Sequence, residues 1–309
     1  MLELVFKHVQ HDYNFFPIVE IGERDSLCRF CKLNNVKFNK KKAHSFPEFL
    51  GNKSIFTVNE CDECNAKFSK IEKNLSDFIP PTFITRLKGK KGYRPYYLKG
   101  GSKIYGDDQF ITLIKENSSE LSSLNFSSQA FDMVKVYKAI LKSLISILPD
   151  EKLKEFHPTL EWLMSNQNFE SLNHFPIFWC GYRMPDVNFP IKMEIQLTRE
   201  TSDNHIIYLL YCQFNNYFIF FPFSPNSKLF FRAEQLSSKT IAENIHFEKV
   251  DCRDGVTNHS YKINLHLGEP DIISNEELTI DQLNNILKSR EGNSSNDDHT
   301  YKPAKTRNK

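Results

Sequence analysis

The chain has 309 residues, of which 40% are hydrophobic and 25% are charged, and its formal net charge is +2. This length allows one or two domains, and the composition is that of a globular protein rather than of a disordered or fibrous one. No run of about 18 apolar residues occurs, so we expect neither a membrane span nor a membrane partner. The start, MLELVFKHVQHDYNFF, lacks the pattern of a signal peptide, so we expect a cytoplasmic protein with reduced thiols.

Positive charge is concentrated in two stretches of the chain. Four lysines lie between positions 37 and 42, and a basic stretch over 86–103 is interleaved with Tyr93, Tyr96 and Tyr97. Basic and aromatic side chains together are what contact with a phosphate backbone requires. A solvated, lysine-rich surface is the alternative explanation. Nucleic acid is the partner that this distribution favours.

The first 80 residues predict the order strand, loop, strand, helix. Residues 1 to about 25 have only a weak extended pattern, and strands are expected within 36–46 and at 54–58. A helix is expected from position 62 to 78, because its apolar residues follow one another at spacings of three and four and a proline pair then ends it. These apolar residues are Phe68, Ile71, Leu75 and Phe78.

The rest of the chain predicts loops, two helices and then strands. Residues 86–106 are typical of a loop or irregular hairpin, and helices are expected at 128–147 and 153–163. Three consecutive antiparallel strands are expected, with Asn215-Asn216 as a tight turn. These strands cover 191–200, 205–214 and 217–223.

The predicted fold class is α+β, with four regions along the chain. Residues 1–82 form a cysteine-bearing module, and residues 83–172 form a basic loop followed by a helical region. Residues 173–288 form a C-terminal antiparallel β-rich region, and residues 289–309 are polar enough to predict a disordered tail.

Two CxxC pairs are the most specific motif in the chain. They are Cys28-Arg29-Phe30-Cys31 and Cys61-Asp62-Glu63-Cys64. Two such turns supply four thiolates, which complete a closed tetrahedral Zn²⁺ site with no open position for a substrate. The predicted zinc is therefore structural, and it would hold both ends of a segment that contains His44.

The residues between the cysteine pairs resemble the HNH endonuclease family. The resemblance rests on the order CxxC, AHSFPEFLGN (43–52), CDECN (61–65) and Glu72, and it covers about a sixth of the chain. It is closest to the zinc-ribbon HNH proteins, and it implies a ββα fold with a catalytic divalent metal. Stand-alone bacterial proteins of this kind often act in restriction or anti-phage defence.

The resemblance implies a role for several residues. His44 matches the general base that activates water, and Asn65 matches the last conserved position of the motif, commonly a metal ligand. Asn52 matches the middle asparagine that orients the histidine loop, although Asn59 competes for this role. The implied reaction is the hydrolysis of phosphodiester bonds, in DNA rather than RNA, with Mg²⁺ or Mn²⁺ as the catalytic ion.

One position departs from the family. Many members place a metal-binding residue directly before the base histidine, but this chain has Ala43 there. Glu72 and Glu48 are the nearest acidic candidates for holding the ion. For Glu72, an exposed carboxylate paired with a lysine is the alternative.

Two other functions remain open from the sequence. The first is a zinc-knuckle module that binds nucleic acid without catalysis. The second is an interaction protein whose C-terminal region senses a signal, binds a protein partner or forms a homo-oligomer, with the zinc module only organising it.

Overall fold

The computed structural model describes most of the chain before position 265. The described residues are 1–10, 17–24, 27–34, 36–38, 42–79, 129–169, 176–182, 193–202, 205–214, 217–225, 246–258 and 260–264, with short strands between 88 and 127. The predicted tail at 289–309 and the predicted turn at Asn215-Asn216 lie outside these residues.

The chain forms two compact units. The first consists of Met1–Glu116 and Ser127–Ser260, and the second of Asn117–Phe126 and Tyr261–Lys309. The predicted boundaries at 82 and 172 both fall inside the first unit, which contains the cysteine module, the helices and the large sheet.

The described residues contain three α-helices and three short 3₁₀ segments. The helices are α1 (Asp62–Phe78), α2 (Met133–Ser146) and α3 (His157–Met164). The 3₁₀ segments cover Glu48–Leu50, Asp150–Phe156 and Cys252–Asp254. No helix in the described residues is both long enough and apolar enough to cross a membrane.

Among the described strands, the longest lie at the start of the chain and between positions 193 and 214. The first nine are β1 (Leu2–Gln10), β2 (Val19–Ile21), β3 (Ala43–His44), β4 (Ile55–Thr57), β5 (Lys88–Gly89), β6 (Gly92–Tyr93), β7 (Tyr96–Tyr97), β8 (Lys103–Gly106) and β9 (Ile111–Ile114). The others are β10 (Ser123–Ser127), β11 (Phe131–Asp132), β12 (Ile177–Tyr182), β13 (Met193–Ser202), β14 (His205–Phe214), β15 (Tyr217–Phe223), β16 (His246–Asp251), β17 (Val256–Thr257) and β18 (Ser260–Asn264).

A six-stranded antiparallel sheet dominates the first unit. Its strand order is β1-β13-β14-β15-β12-β16. The three predicted consecutive strands are confirmed as β13, β14 and β15, with a register that runs from Met193 opposite Phe214 to Ser202 opposite His205 in the first pair. Strand β1 lies at the edge of this sheet and pairs antiparallel with β13, so the start of the chain completes a sheet built from distant residues.

The cysteine module contains a three-stranded sheet of order β2-β4-β3, followed by α1. Strand β2 runs parallel to β4, and β3 runs antiparallel to it. Helix α1 has the predicted bounds, because Cys61 caps its first turn by accepting a hydrogen bond from the Cys64 amide and the chain leaves the helix at Ile79 before the proline pair.

The two other predicted helices exist with different bounds. Helix α2 begins at Met133 rather than at 128, because Phe131 and Asp132 pair as strand β11 with β17 and Asp132 then caps the helix. The helix predicted from 153 begins as a 3₁₀ segment, and α3 follows it with Pro158 in its first turn.

One hydrophobic core joins the module, the helices and the large sheet. It includes five fully buried side chains: Phe68 of α1, Leu141 and Leu144 of α2, and Leu210 and Phe221 of the sheet. Trp162 and Trp179 are buried as well. The α+β class is thus confirmed, with antiparallel sheets, few helices and a four-cysteine cluster near the start of the chain.

Candidate functional site

The four cysteines of the two CxxC pairs converge on one point. Their Sγ atoms all lie within 4.8 Å of one another, with 3.8 Å between Cys28 and Cys64 and 3.9 Å between Cys31 and Cys61. Zn–S bonds of about 2.3 Å in a tetrahedron place neighbouring sulfurs about 3.8 Å apart. The cluster therefore has the dimensions to hold one metal ion such as zinc.

The backbone around the cluster supports thiolates. The Cys61 amide donates to Cys28 Sγ at 3.4 Å, and the Cys64 amide donates to Cys61 Sγ at 3.5 Å. Lys32 has a left-handed φ of 58°, and its amide closes the first CxxC turn on the Cys28 carbonyl at 3.0 Å. Amide donors directed at sulfur stabilise its anionic form, which is the form that binds metal.

Cys28, Cys61 and Cys64 differ in their acidity. Contact with the Cys64 thiol lowers the pKa of Cys28 to about 4, whereas burial raises the pKa of Cys61 to about 11 and the Cys28 sulfur raises that of Cys64. These pKa values differ because the sulfur atoms lie close together and a negative charge on one opposes a negative charge on the next. A divalent cation bound among the four sulfurs would neutralise that charge.

The Arg29 side chain connects the first CxxC turn to helix α2. It is fully buried, and it donates to the Ile145 and Leu148 carbonyls at 3.2 and 2.7 Å. These carbonyls lie at and just beyond the end of α2, where the helix dipole favours a cation. Arg29 also donates to Asn59 Oδ1 at 3.1 Å and to Asp150 Oδ1 at 2.5 Å.

His44 lies on the β3–β4 hairpin that leads into α1. It is opposite Phe56 in the register, and the two rings are 4.8 Å apart. The next residue, Ser45, donates its amide to the Ile55 carbonyl, and its hydroxyl lies 2.8 Å from that of Thr57. The backbone of His44 is therefore fixed, while its side chain is only partly buried.

Asn52 holds the loop between the two strands of the hairpin. Its side chain is fully buried. The Nδ2 group donates to the Phe46 and Ile55 carbonyls at 2.9 Å each, and Oδ1 accepts from the Ser54 and Ile55 amides at 3.2 and 2.9 Å. Asn59, its competitor in the sequence, instead accepts from Arg29 and lies against Gly22.

Asn65 and Glu72 both lie on α1, in its first and third turns. Asn65 is partly buried, and its backbone carbonyl accepts from the Ser69 hydroxyl. Glu72 is 18% exposed, with Oε1 3.1 Å from Lys142 Nζ. Glu48 begins the 3₁₀ segment of the His44 loop. Within the described residues, the four cysteines are the only His, Cys, Asp or Glu group of three or more placed to share a metal ion.

Lys142 of α2 is a buried cation beside the His44 backbone, and the sequence did not identify it. Its side chain is 1% exposed, and Nζ donates to the His44 carbonyl at 2.7 Å. Nζ also lies 3.1 Å from Glu72 Oε1 and 3.5 Å from Oε2 of Glu60, whose side chain is fully buried. The only sequence signal was a lysine next to the apolar residues Ile140 and Leu141 of α2.

The charges in this cluster compensate one another. Burial opposes the charged form of Lys142, but the carboxylates of Glu60 and Glu72 outweigh it and raise the pKa of the lysine. Burial raises the pKa of Glu60 to about 7, although Lys142 acts in the opposite direction. Lys142 therefore stays charged, as a buried cation must when anions surround it.

Comparisons of the chain with protein-family models, with curated proteins and with solved structures found no match.

Proposed function

We propose that this protein is a metal-dependent endonuclease of the HNH type, which hydrolyses phosphodiester bonds in DNA. The observation that carries the proposal is the placement of His44 on an antiparallel hairpin that leads directly into α1. The cysteine cluster lies where that hairpin meets the helix, since Cys61 caps α1. Strand, strand, helix is the order that the resemblance implies.

In this proposal the zinc held by the four cysteines is structural. All four positions of a tetrahedral ion would be taken by sulfur, so no position is left for water or substrate. Its contribution is to hold the first CxxC turn, the end of the hairpin and the start of α1 together. His44 thereby keeps its place relative to the first turn of α1.

His44 is the proposed general base. A neutral imidazole can accept a proton from water at neutral pH, and the hydroxide then attacks the phosphorus atom. Asn52 is the proposed positioning residue, because its four hydrogen bonds fix the loop that follows His44. A misplaced base loses rate steeply, so a rigid loop favours catalysis.

Asn65 and Glu72 are the candidate ligands that the resemblance offers for a catalytic divalent ion, and an ion shared by both would need a long reach, because seven residues, or about 10.5 Å of helix rise, separate them on α1. An amide oxygen and a carboxylate suit Mg²⁺ or Mn²⁺, which keep several waters and bind phosphate oxygens directly. When bound, such an ion would stabilise negative charge on the phosphate and on the leaving 3′ oxygen. Ala43 cannot contribute a ligand, and one Glu72 oxygen is already paired with Lys142.

The cleavage assay tests this proposal with metal and residue controls. Wild-type protein should nick supercoiled plasmid when Mg²⁺ or Mn²⁺ is added, and stop when the ion is omitted by dialysis, which leaves the tighter zinc in place. His44→Ala should abolish cleavage with unchanged zinc content. His157→Ala is the matched control, because His157 is exposed on α3. Cleavage by His44→Ala at the wild-type rate would overturn the proposal.

A zinc-knuckle module that binds nucleic acid without cutting it is the second candidate. Ala43 and the pairing of Glu72 with Lys142 favour it, because both reduce the ligands left for a catalytic ion. This candidate predicts that His44→Ala binds DNA as tightly as wild type and that neither protein cleaves it. A gel-shift assay beside the cleavage assay separates the two candidates.

A further inference from the structure

We propose that Lys142 is a positioning residue for His44, so that helix α2 is part of the candidate nuclease centre. This inference rests on the proposed function and deepens it. Lys142 lies 98 residues from His44 in the chain, and its Nζ donates to the His44 carbonyl at 2.7 Å. The residue that fixes the proposed base thus comes from outside the ββα segment.

Three oxygen atoms surround the Lys142 ammonium. They belong to the His44 carbonyl and to the carboxylates of Glu60 and Glu72. Glu60 directly precedes the zinc-cluster residue Cys61, and Glu72 lies on α1. A single buried cation therefore joins the hairpin, the zinc cluster and α1, which are the three parts that must keep a fixed geometry around His44.

The contact is also held from the other side. Arg29 of the first CxxC turn donates to the carbonyls at the end of α2, and Lys142 of α2 donates to the His44 carbonyl of the module. Two buried cations therefore connect α2 and the module, one from each side. The Phe68 ring of α1 lies 5.8 Å from Lys142 Nζ and closes the site on its apolar side. The lysine is thus held in one place, as a positioning residue must be.

Helix α2 supplies a matched control one turn earlier. Lys138 is 3% exposed, and its Nζ donates to the carbonyls of Trp162, Ser165 and Gln167. Like Lys142 it is buried, but its hydrogen bonds go to carbonyls at and after the end of α3 and not to the module. Lys138→Met should therefore cost stability without touching His44.

The experiment compares Lys142→Met, Lys142→Arg and Lys138→Met in the full chain. Lys142→Met should lower kcat about 10- to 100-fold with little change in KM, since a displaced base slows chemistry rather than binding. Lys142→Arg, which can still donate to the carbonyl, should recover part of the loss. Lys138→Met should keep the wild-type kcat. Amide exchange of residues 43–46 should accelerate in Lys142→Met alone.

A second variant covers the case in which Lys142→Met does not fold. Removing the lysine leaves two carboxylates without their cation, so Lys142→Met combined with Glu60→Gln removes one of them. This double variant should fold and should show the same low kcat and fast exchange at 43–46. Wild-type kcat and exchange in it, or an equal loss of kcat in Lys138→Met, would overturn the inference.

The exchange measurement keeps this inference separate from the proposed function. If the wild-type protein cleaves no DNA, the nuclease proposal fails. Fast exchange at 43–46 in Lys142→Met or in the double variant, but not in Lys138→Met, would then still support the positioning of His44 by α2. Unchanged exchange in every variant would overturn the positioning itself.

Discussion

Asn52 has the densest set of hydrogen bonds among the candidate site residues, and its removal tests whether the His44 loop depends on it. Asn52→Ala leaves the Phe46 carbonyl and the Ser54 and Ile55 amides without this partner, while the Ile55 carbonyl keeps the Ser45 amide. We expect a loss of about 2 to 4 kcal/mol in the free energy of unfolding, because each buried unsatisfied group costs about 1 to 3 kcal/mol and the loop relaxes in part. Urea denaturation measures it.

The control for this substitution is Asn258→Ala. Asn258 is exposed next to strand β17, so its replacement should change the free energy of unfolding by no more than about 0.5 kcal/mol. Equal stabilities for the two variants would show that the loop does not need the Asn52 side chain.

His8 makes stability depend on pH. It is 6% exposed, its Nε2 lies 2.9 Å from the Ser54 hydroxyl, and burial lowers its pKa below 6.5. Below pH 6.5 the unfolded chain therefore binds a proton that the folded chain does not, so the stability contributed by neutral His8 is present above pH 6.5 and lost as the pH falls. Urea denaturation at pH 7 and pH 5 should show a smaller difference for His8→Gln than for wild type.

Two comparisons complete this test. His157 is exposed, so His157→Gln should lose as much stability between pH 7 and pH 5 as wild type does. If His8→Gln loses as much stability between pH 7 and pH 5 as wild type does, then another group is responsible for the dependence.

The sequence identified the residues of the site whose partners are close in the chain. The cysteines follow from CxxC spacing, and the segment of Asn52 follows from a motif only ten residues long. Lys142 and Arg29 could not be predicted, because the His44 carbonyl lies 98 residues from Lys142 and the two carbonyls at the end of α2 lie 116 and 119 residues from Arg29. A buried lysine or arginine looks like a surface residue until the elements that surround it are placed.

At the scale of elements, Arg29 joins the zinc cluster to α2, and its loss should cost much more than that of a surface arginine. Arg29→Met leaves the Ile145 and Leu148 carbonyls and Asn59 without their buried donor. We expect a loss of about 3 kcal/mol in the free energy of unfolding, because a buried charged donor is removed from several acceptors. Thermal and urea denaturation both measure it.

Arg24→Met is the matched control. Its guanidinium is 63% exposed and pairs with Glu20, an arrangement that contributes about 0 to 1 kcal/mol. Similar losses for Arg24→Met and Arg29→Met would contradict a connecting role for Arg29.

Helix α1 and strands β13, β14 and β15 could be predicted because their signals are local. Apolar spacing, a capping residue and a proline pair define α1 within its own sequence. The start of α2 could not be predicted, because Phe131 pairs with Thr257, which is 126 residues away. Pairing with a distant strand decided that boundary, and no local propensity reveals it.

At the scale of the molecule, β1 connects the first residues to both the large sheet and the cysteine module. It pairs with β13, while His8 and Gln10 both contact the Ser54 hydroxyl beside β4. A variant that lacks residues 2–10 should therefore lose the folded module together with the sheet edge. We expect little folded protein at room temperature, measured by circular dichroism and by zinc content after purification.

An unchanged unfolding temperature in the variant that lacks residues 2–10 would contradict this prediction. If the shortened variant unfolds at the wild-type temperature and retains one zinc per chain, the module and the sheet do not depend on β1. The continuous hydrophobic core of the first unit argues for dependence, since Phe6 of β1 packs against it.

The rate of plasmid cleavage by wild type and by His44→Ala, on preparations with equal zinc content, tests the central claim most directly. The substitution keeps the backbone carbonyl of residue 44, to which Lys142 donates, and it does not change the four cysteines. The account predicts cleavage that depends on Mg²⁺ or Mn²⁺ in wild type and a rate reduced at least about 100-fold in His44→Ala, since general-base catalysis contributes about 10²- to 10⁴-fold. Equal rates in the two proteins, or no cleavage by wild type with either ion, would contradict it.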